Sequence, residues 1–154
     1  MMFHASIPAR DPAATAAALA EMWQGEALPF PPLPGSFVVF AGDDRGTQIE
    51  VCPAEMGLIP GPTEVAATPV GPARPTPVHV AIGVPHDAPR ILEIARRMGW
   101  TARECDRGGM FSVVEVWIDN HFMLEALTPA MQRDYMASMS VANWKRTFGL
   151  DVAA

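Results

Sequence analysis

His4, in the apolar run Phe3-His4-Ala5-Ser6-Ile7, is followed 46 residues later by Glu50, in Gln48-Ile49-Glu50-Val51. The same 46-residue step separates His79, in Val78-His79-Val80-Ala81-Ile82, from Glu125, in Met123-Leu124-Glu125-Ala126-Leu127. All four side chains interrupt strand-like hydrophobic sequence, where an unpaired ionised group is costly to bury and normally takes a partner or a metal. Two neutral imidazoles and two carboxylates suit a divalent cation such as Zn, Ni, Co, Mn or Fe, and they leave room in the shell for water or substrate. Such a centre polarises a carbonyl and stabilises an enolate, while a carboxylate beside it removes the proton alpha to that carbonyl. His4, Glu50, His79 and Glu125 are thus the candidate metal ligands. Glu125 and Glu50 are the candidate catalytic carboxylates, with the base assigned to Glu125.

The elements that must position these groups repeat with the same period, because His79 lies 75 residues after His4. Residues 2 to 8 alternate as a strand, Asp11-Pro12 starts a helix that ends at Gly25, and two further strands cover 36–40 and 47–52 around a glycine-rich turn. Residues 28–34 hold too many prolines for an interior strand and suit at most a sheet edge. The second half predicts a strand over 78–84, a helix from Asp87 to Gly99 with Arg90, Glu93, Arg96 and Arg97 facing water, and strands over 100–104, 111–118 and 122–127. The fold class is therefore α+β, tandem βαβββ modules over residues 1–53 and 78–128; if each sheet, curved and mixed, curls into a cup, the four side chains can converge within one cavity. Residues 54–77 carry a run of prolines and are expected to be an extended linker. Residues 129–154 form a C-terminal helical extension, helical over 130–148 with Met131, Tyr135, Met139 and Trp144 as candidate buried positions.

Strand parity sorts the side chains. Phe3, Ala5, Ile7, Ile49, Val51, Val78, Val80, Ile82, Phe122, Leu124 and Ala126 share the apolar face expected beneath the helices. His4, Ser6, Gln48, Glu50, Cys52, His79, Met123 and Glu125 share the opposite one. Ser6, Gln48, Cys52, Trp117 and Met123 are accordingly candidates to line a substrate pocket.

This pattern resembles the vicinal oxygen chelate superfamily, the glyoxalase, bleomycin-resistance and extradiol dioxygenase group. The resemblance covers residues 2 to 128 and rests on the doubled βαβββ order, the histidine in each first strand and the glutamate in each last strand. Gly46-Thr47-Gln48-Ile49-Glu50 is similar to that family's Gly-Asn-x-x-Glu ending, with Thr for Asn, and Asp119 to Glu125 is a shortened version of the second ending. The resemblance implies a cup in which the last strand of each module lies beside the first. It also implies a divalent metal held by all four positions, as in glyoxalase I. Pro8 stands where glyoxalase I places a glutathione-holding arginine, with Arg10 two residues later, and 13–22 lacks the aromatic pair common in the first helix, so glutathione is not implied. The resulting expectation is a glyoxalase-like metalloenzyme, a lyase, isomerase or epimerase, acting on a small molecule. Two alternatives are a metal-free binding protein of the bleomycin-resistance type and an Fe-dependent ring-cleaving dioxygenase.

A formal net charge of −6 and a single lysine, Lys145, argue against a nucleic-acid surface. No apolar stretch is long enough for a membrane span and no signal peptide is evident, so a soluble, cytoplasmic protein is expected. Cys52 and Cys105 make no disulfide framework. His86 is expected near a helix cap, His121 in a solvated turn, and Arg10, Arg103 and Arg107 as possible contacts to an anionic substrate. One βαβββ half leaves its concave face and sheet edge open, and the expected partner is a second copy in a homodimer, with His4 and Glu50 meeting His79 and Glu125 across halves.

Overall fold

A computed structural model describes residues 4–60, 62, 65–71 and 76–150 of the chain. The first module comprises β1 (His4–Ala9), α1 (Pro12–Trp23), β2 (Glu26–Pro29), β3 (Phe37–Phe40) and β4 (Gln48–Pro53). The connection forms β5 (Met56–Pro60) and β6 (Val65–Pro69). The second module comprises β7 (Val80–Gly83), α2 (Ala88–Arg97), β8 (Thr101–Asp106), β9 (Ser112–Ile118) and β10 (Phe122–Leu127), and α3 (Pro129–Ser138) and α4 (Val141–Phe148) follow. The two four-stranded sheets have matching orders, β1-β4-β3-β2 and β7-β10-β9-β8. In each, the first strand runs parallel to the last and lies at the sheet edge, and the other pairings are antiparallel. The doubled βαβββ architecture is therefore the observed fold.

Local chemistry explains most boundaries. Asp11 caps α1 by accepting from the Ala14 amide at 3.0 Å, and Asp87 caps α2 by accepting from the Arg90 amide at 3.1 Å. Gln24, not Gly25, takes the left-handed position that ends α1. Gly25 is required for a different reason: a Cβ there would stand 1.9 Å from the Phe40 carbonyl oxygen. The 54–77 connection departs from a plain extended linker. Its β5 and β6 pair with each other antiparallel as a separate ribbon and join neither main sheet, because the flanking prolines supply no amide to a longer ladder. The helix expected over 130–148 is two helices, since Ser140 turns its hydroxyl to the Asn143 amide and caps a new start. The strand expected over 78–84 shortens to β7. Val78 instead bonds Thr76 Oγ1 through its amide and is 61% exposed, so it leaves the core set, and His79 precedes the strand.

Ile7, Ile49, Val51, Ile82, Phe122, Leu124 and Ala126 are buried on the helix-facing side, as their parity requires; Phe3 lies outside the described residues. One apolar core runs through both modules, with α1 packed against its own sheet and against α2. Trp23 Nε1 donates to the Gly83 carbonyl at 3.0 Å. The Glu21 carboxylate of α1 receives both Arg90 and Arg97 of α2, so two arginines expected in solvent bridge the modules instead. Of the C-terminal candidates, Met131 is buried and Tyr135 partly buried against Phe111, whereas Met139 and Trp144 are exposed. Among the described residues, no helix is long and apolar enough to cross a membrane.

Candidate metal centre

The strand register lays the functional side chains out in two equivalent rows. In the first sheet, Leu28 pairs with Val38, Val38 with Glu50, and Glu50 with Ser6; the neighbouring row is Glu26, Phe40, Gln48 and His4. In the second, Arg103 pairs with Glu115, Glu115 with Glu125, and Glu125 with Ala81; the neighbouring row holds Thr101, Trp117 and Met123, beside the end of β7 that His79 precedes. Each sheet thus offers one histidine at or just before the start of its edge strand and one glutamate one row along on the adjacent strand; His4, Glu50 and Glu125 face away from the helices, and His79 stands just before β7.

Their surroundings differ. Glu50 is half-buried and accepts one hydrogen bond, from the Ser6 hydroxyl at 2.7 Å, and its row mates Val38 and Leu28 are apolar. The approach to Glu50 is built by Thr47, whose hydroxyl donates to Asp43 at 2.5 Å and, with the Thr47 amide, holds the Asp43 carboxyl below the usual carboxylate range. Glu125 is only 8% exposed and is paired with Arg107, whose Nη2 stands 2.5 Å from its Oε1. The same nitrogen donates to Glu115 Oε1 at 2.9 Å, while Arg103 Nε and Trp117 Nε1 donate to Glu115 Oε2 at 3.0 and 3.3 Å. Burial alone would raise the Glu115 carboxyl; the hydrogen bonds from Arg107, Trp117 and Arg103 outweigh it and hold the group at about 2. The Glu125 and Glu115 carboxylates in turn push the Arg107 guanidinium up.

His4 and His79 are both exposed. Nδ1 of His79 lies 3.0 Å from the Pro77 carbonyl oxygen, a contact favourable when Nδ1 carries the proton, which leaves the Nε2 lone pair outward as a ligating imidazole requires. The donor chemistry therefore fits a divalent cation, but in halves. Among the described residues no three His, Cys, Asp or Glu side chains of one chain gather closely enough to hold a metal ion, and no strand of one main sheet pairs with the other.

The remaining candidates fall as follows. Trp117 and Met123 are direct register partners on the cup face, Gln48 pairs beside His4, and Ser6 is tied to Glu50. Cys52 is buried, and burial raises its thiol pKa. His86 bonds the Glu21 carbonyl near the module interface. His121 is not a solvated turn residue: it is partly buried beside the Asp119-Asn120 turn, and its Nε2 is shielded and finds no partner among the described residues. Arg10 pairs with Asp119, and Arg103 and Arg107 pair with glutamates, so each already has a carboxylate partner. Glu115 is the residue that sequence reasoning missed. Its signal was present, a lone acid within Val113-Val114-Glu115-Val116-Trp117 with the parity of Trp117.

No sequence-family model matches the chain, and no curated protein matches it. Solved structures do match. The fosfomycin resistance protein FosX from Listeria monocytogenes superimposes with a TM-score of 0.57 at 13% identity, covering 89% of this chain and 97% of that one. FosX from Mesorhizobium loti gives 0.53 at 13% identity over 86% and 94%, and the trypanothione-dependent glyoxalase I of Leishmania major gives 0.52 at 16% identity over 97% and 98%. A variant of the Listeria protein was solved with Mn(II) and 1S,2S-dihydroxypropylphosphonic acid. Two sheets of like order, each led by an edge strand and backed by helices, together with these superpositions, identify the fold of this chain as that of the vicinal oxygen chelate superfamily.

Proposed function

We propose that the chain is a glyoxalase-like metalloenzyme, an isomerase, lyase or epimerase that removes a proton next to a carbonyl of a small molecule, working as a cytoplasmic homodimer. The observation that carries this reading is the pair of half-sites, one histidine at or just before the start of each edge strand and one glutamate on the strand beside it, with no group of three possible ligands gathered within one chain among the described residues. Closing the cup then falls to a second copy, whose edge strand meets the unpaired edge of this one. In that arrangement His4 and Glu50 face the partner subunit's His79 and the partner subunit's Glu125. A divalent cation bound there supplies Lewis-acid polarisation of a carbonyl oxygen. The Mn(II) in the Listeria structure supports a metal in this fold.

The environments of the two glutamates support a division of labour that the pseudo-symmetry of the sequence conceals. Glu125 is buried on β10 with little freedom to reach a substrate, which suits a ligand rather than a base. Glu50, held by a single hydroxyl and half-exposed, retains an oxygen and the freedom to reach a substrate proton, and is the better-placed base. Phe40, Trp117 and Met123 supply apolar walls that would limit water in the closed cup. The test is elemental analysis of protein purified without chelator. One divalent ion of the Ni, Zn, Co or Mn group per chain, lost in His79→Ala, is the expected result. No metal, with ligand binding intact, would overturn the reading in favour of a bleomycin-resistance-type binder.

A further inference from the structure

Arg107 has a position that the pairing of histidines and glutamates leaves unexplained. It belongs to the β8–β9 hairpin, whose backbone is fixed: Gly108 and Gly109 take left-handed conformations (φ 66° and 73°), Asp106 accepts from the Gly109 amide at 2.9 Å, and the Arg107 amide donates to the Phe111 carbonyl at 2.8 Å. From this rigid turn the side chain curls into the cup and places one nitrogen between two carboxylates, 2.9 Å from Glu115 and 2.5 Å from Glu125. Two guanidinium groups, Arg103 and Arg107, balance two carboxylates, so the network presents no spare positive charge. Nothing equivalent exists in the first sheet, where Val38 and Leu28 occupy the matching row.

We propose that Arg107 is a tethered cation seated on Glu125, which an incoming divalent metal must displace, and that Glu115 is the carboxylate that receives it. The inference rests on the reading of Glu125 as a metal ligand. A carboxylate oxygen that accepts a charge-assisted hydrogen bond from Arg107 gives up donor strength toward a metal, and two positive charges do not share one carboxylate without cost. Glu115 lowers that cost because it already binds the same guanidinium nitrogen. Metal affinity is therefore set by a residue that is not itself a ligand, and the Glu115 and Glu125 charges are balanced while no metal is bound.

The experiment is calorimetric titration of Mn(II) and Zn(II) into metal-free full-length protein, with a thermal melt of each variant before and after metal. Arg107→Gln should bind metal on the order of tenfold more tightly, because the competing charged hydrogen bond is gone. Glu115→Gln should bind it more weakly, because Arg107 then has only Glu125. Arg103→Gln, whose guanidinium bonds Glu115 but not Glu125, should stay within about threefold of wild type. Metal should also raise the melting temperature of Arg107→Gln by more than it raises that of the wild type. Arg107→Met serves in its place if the Gln variant fails to fold by circular dichroism. Equal or weaker binding by both folded Arg107 variants overturns the proposal. Glu125→Gln separates the two failures: unchanged affinity there removes Glu125 from the shell and overturns the underlying reading, whereas weakened affinity with no gain at Arg107 overturns only the competition.

Discussion

Replacing Glu115 by Gln tests the charge network through its pH dependence. The carboxyl lies at about 2 in the folded chain against an ordinary 4.5. That depression is worth about 3 kcal/mol of stability near neutral pH, and about 2 kcal/mol is a fair expectation once the exposure of the Arg103 side chain is discounted. The sign follows from the lowered value. The unfolded state binds the proton more readily, so the contribution is complete above pH 4.5, declines as pH falls, and is down to under about 0.5 kcal/mol near pH 2. Urea unfolding of wild type and Glu115→Gln at pH 7, 4.5, 3.5 and 2.5 should therefore show a difference of about 2 kcal/mol that narrows steadily at the three lower values. A constant difference across that range would mean the variant loses packing rather than charge pairing. No difference at pH 7 would refute the network.

Gly25→Ala should destabilise the fold by more than about 2 kcal/mol, because the added carbon meets the Phe40 carbonyl oxygen, a backbone atom of β3 that cannot yield without disturbing the sheet; chemical denaturation measures it. Trp23→Phe keeps most of the buried ring but loses the Nε1 bond to Gly83, and should cost about 1 to 2 kcal/mol in the same assay. The Cys52 thiol, pushed up by burial, should react with a thiol reagent at neutral pH far more slowly in folded protein than in urea, and rapid labelling of the native state would contradict its placement.

The doubled architecture was legible because period-2 alternation and helix caps recur at a fixed interval: Ile7, Ile49, Leu124 and Ala126 fell on the buried face that parity assigned them. The β5–β6 ribbon was not legible, since prolines flanking short apolar runs read as an extended segment while leaving a local antiparallel pair possible. His79 stands before β7 and outside the rule of strand alternation, whereas the placement of Glu50 and Glu125 on the face away from the helices follows from that rule and was readable. The inequality of the two glutamates was not, because it depends on which residues stand beside them across the sheet. Val38 and Glu115 occupy equivalent positions in the two rows, and only the register shows that Glu115 and Arg107 stand at Glu125 while nothing charged stands beside Glu50 in its row.

If each metal site draws one half from each of two chains, two variants that each lack one half should complement one another. His4→Ala and His79→Ala proteins, each expected to bind no metal alone, are unfolded together in equal amounts, refolded, and assayed for bound metal by elemental analysis. Random pairing makes about half of the dimers mixed, and each mixed dimer regains one intact site of its two, so about a quarter of wild-type metal should return. No recovery from a mixture that refolds as dimers, each at twice the 16.6 kDa chain mass, would contradict the account.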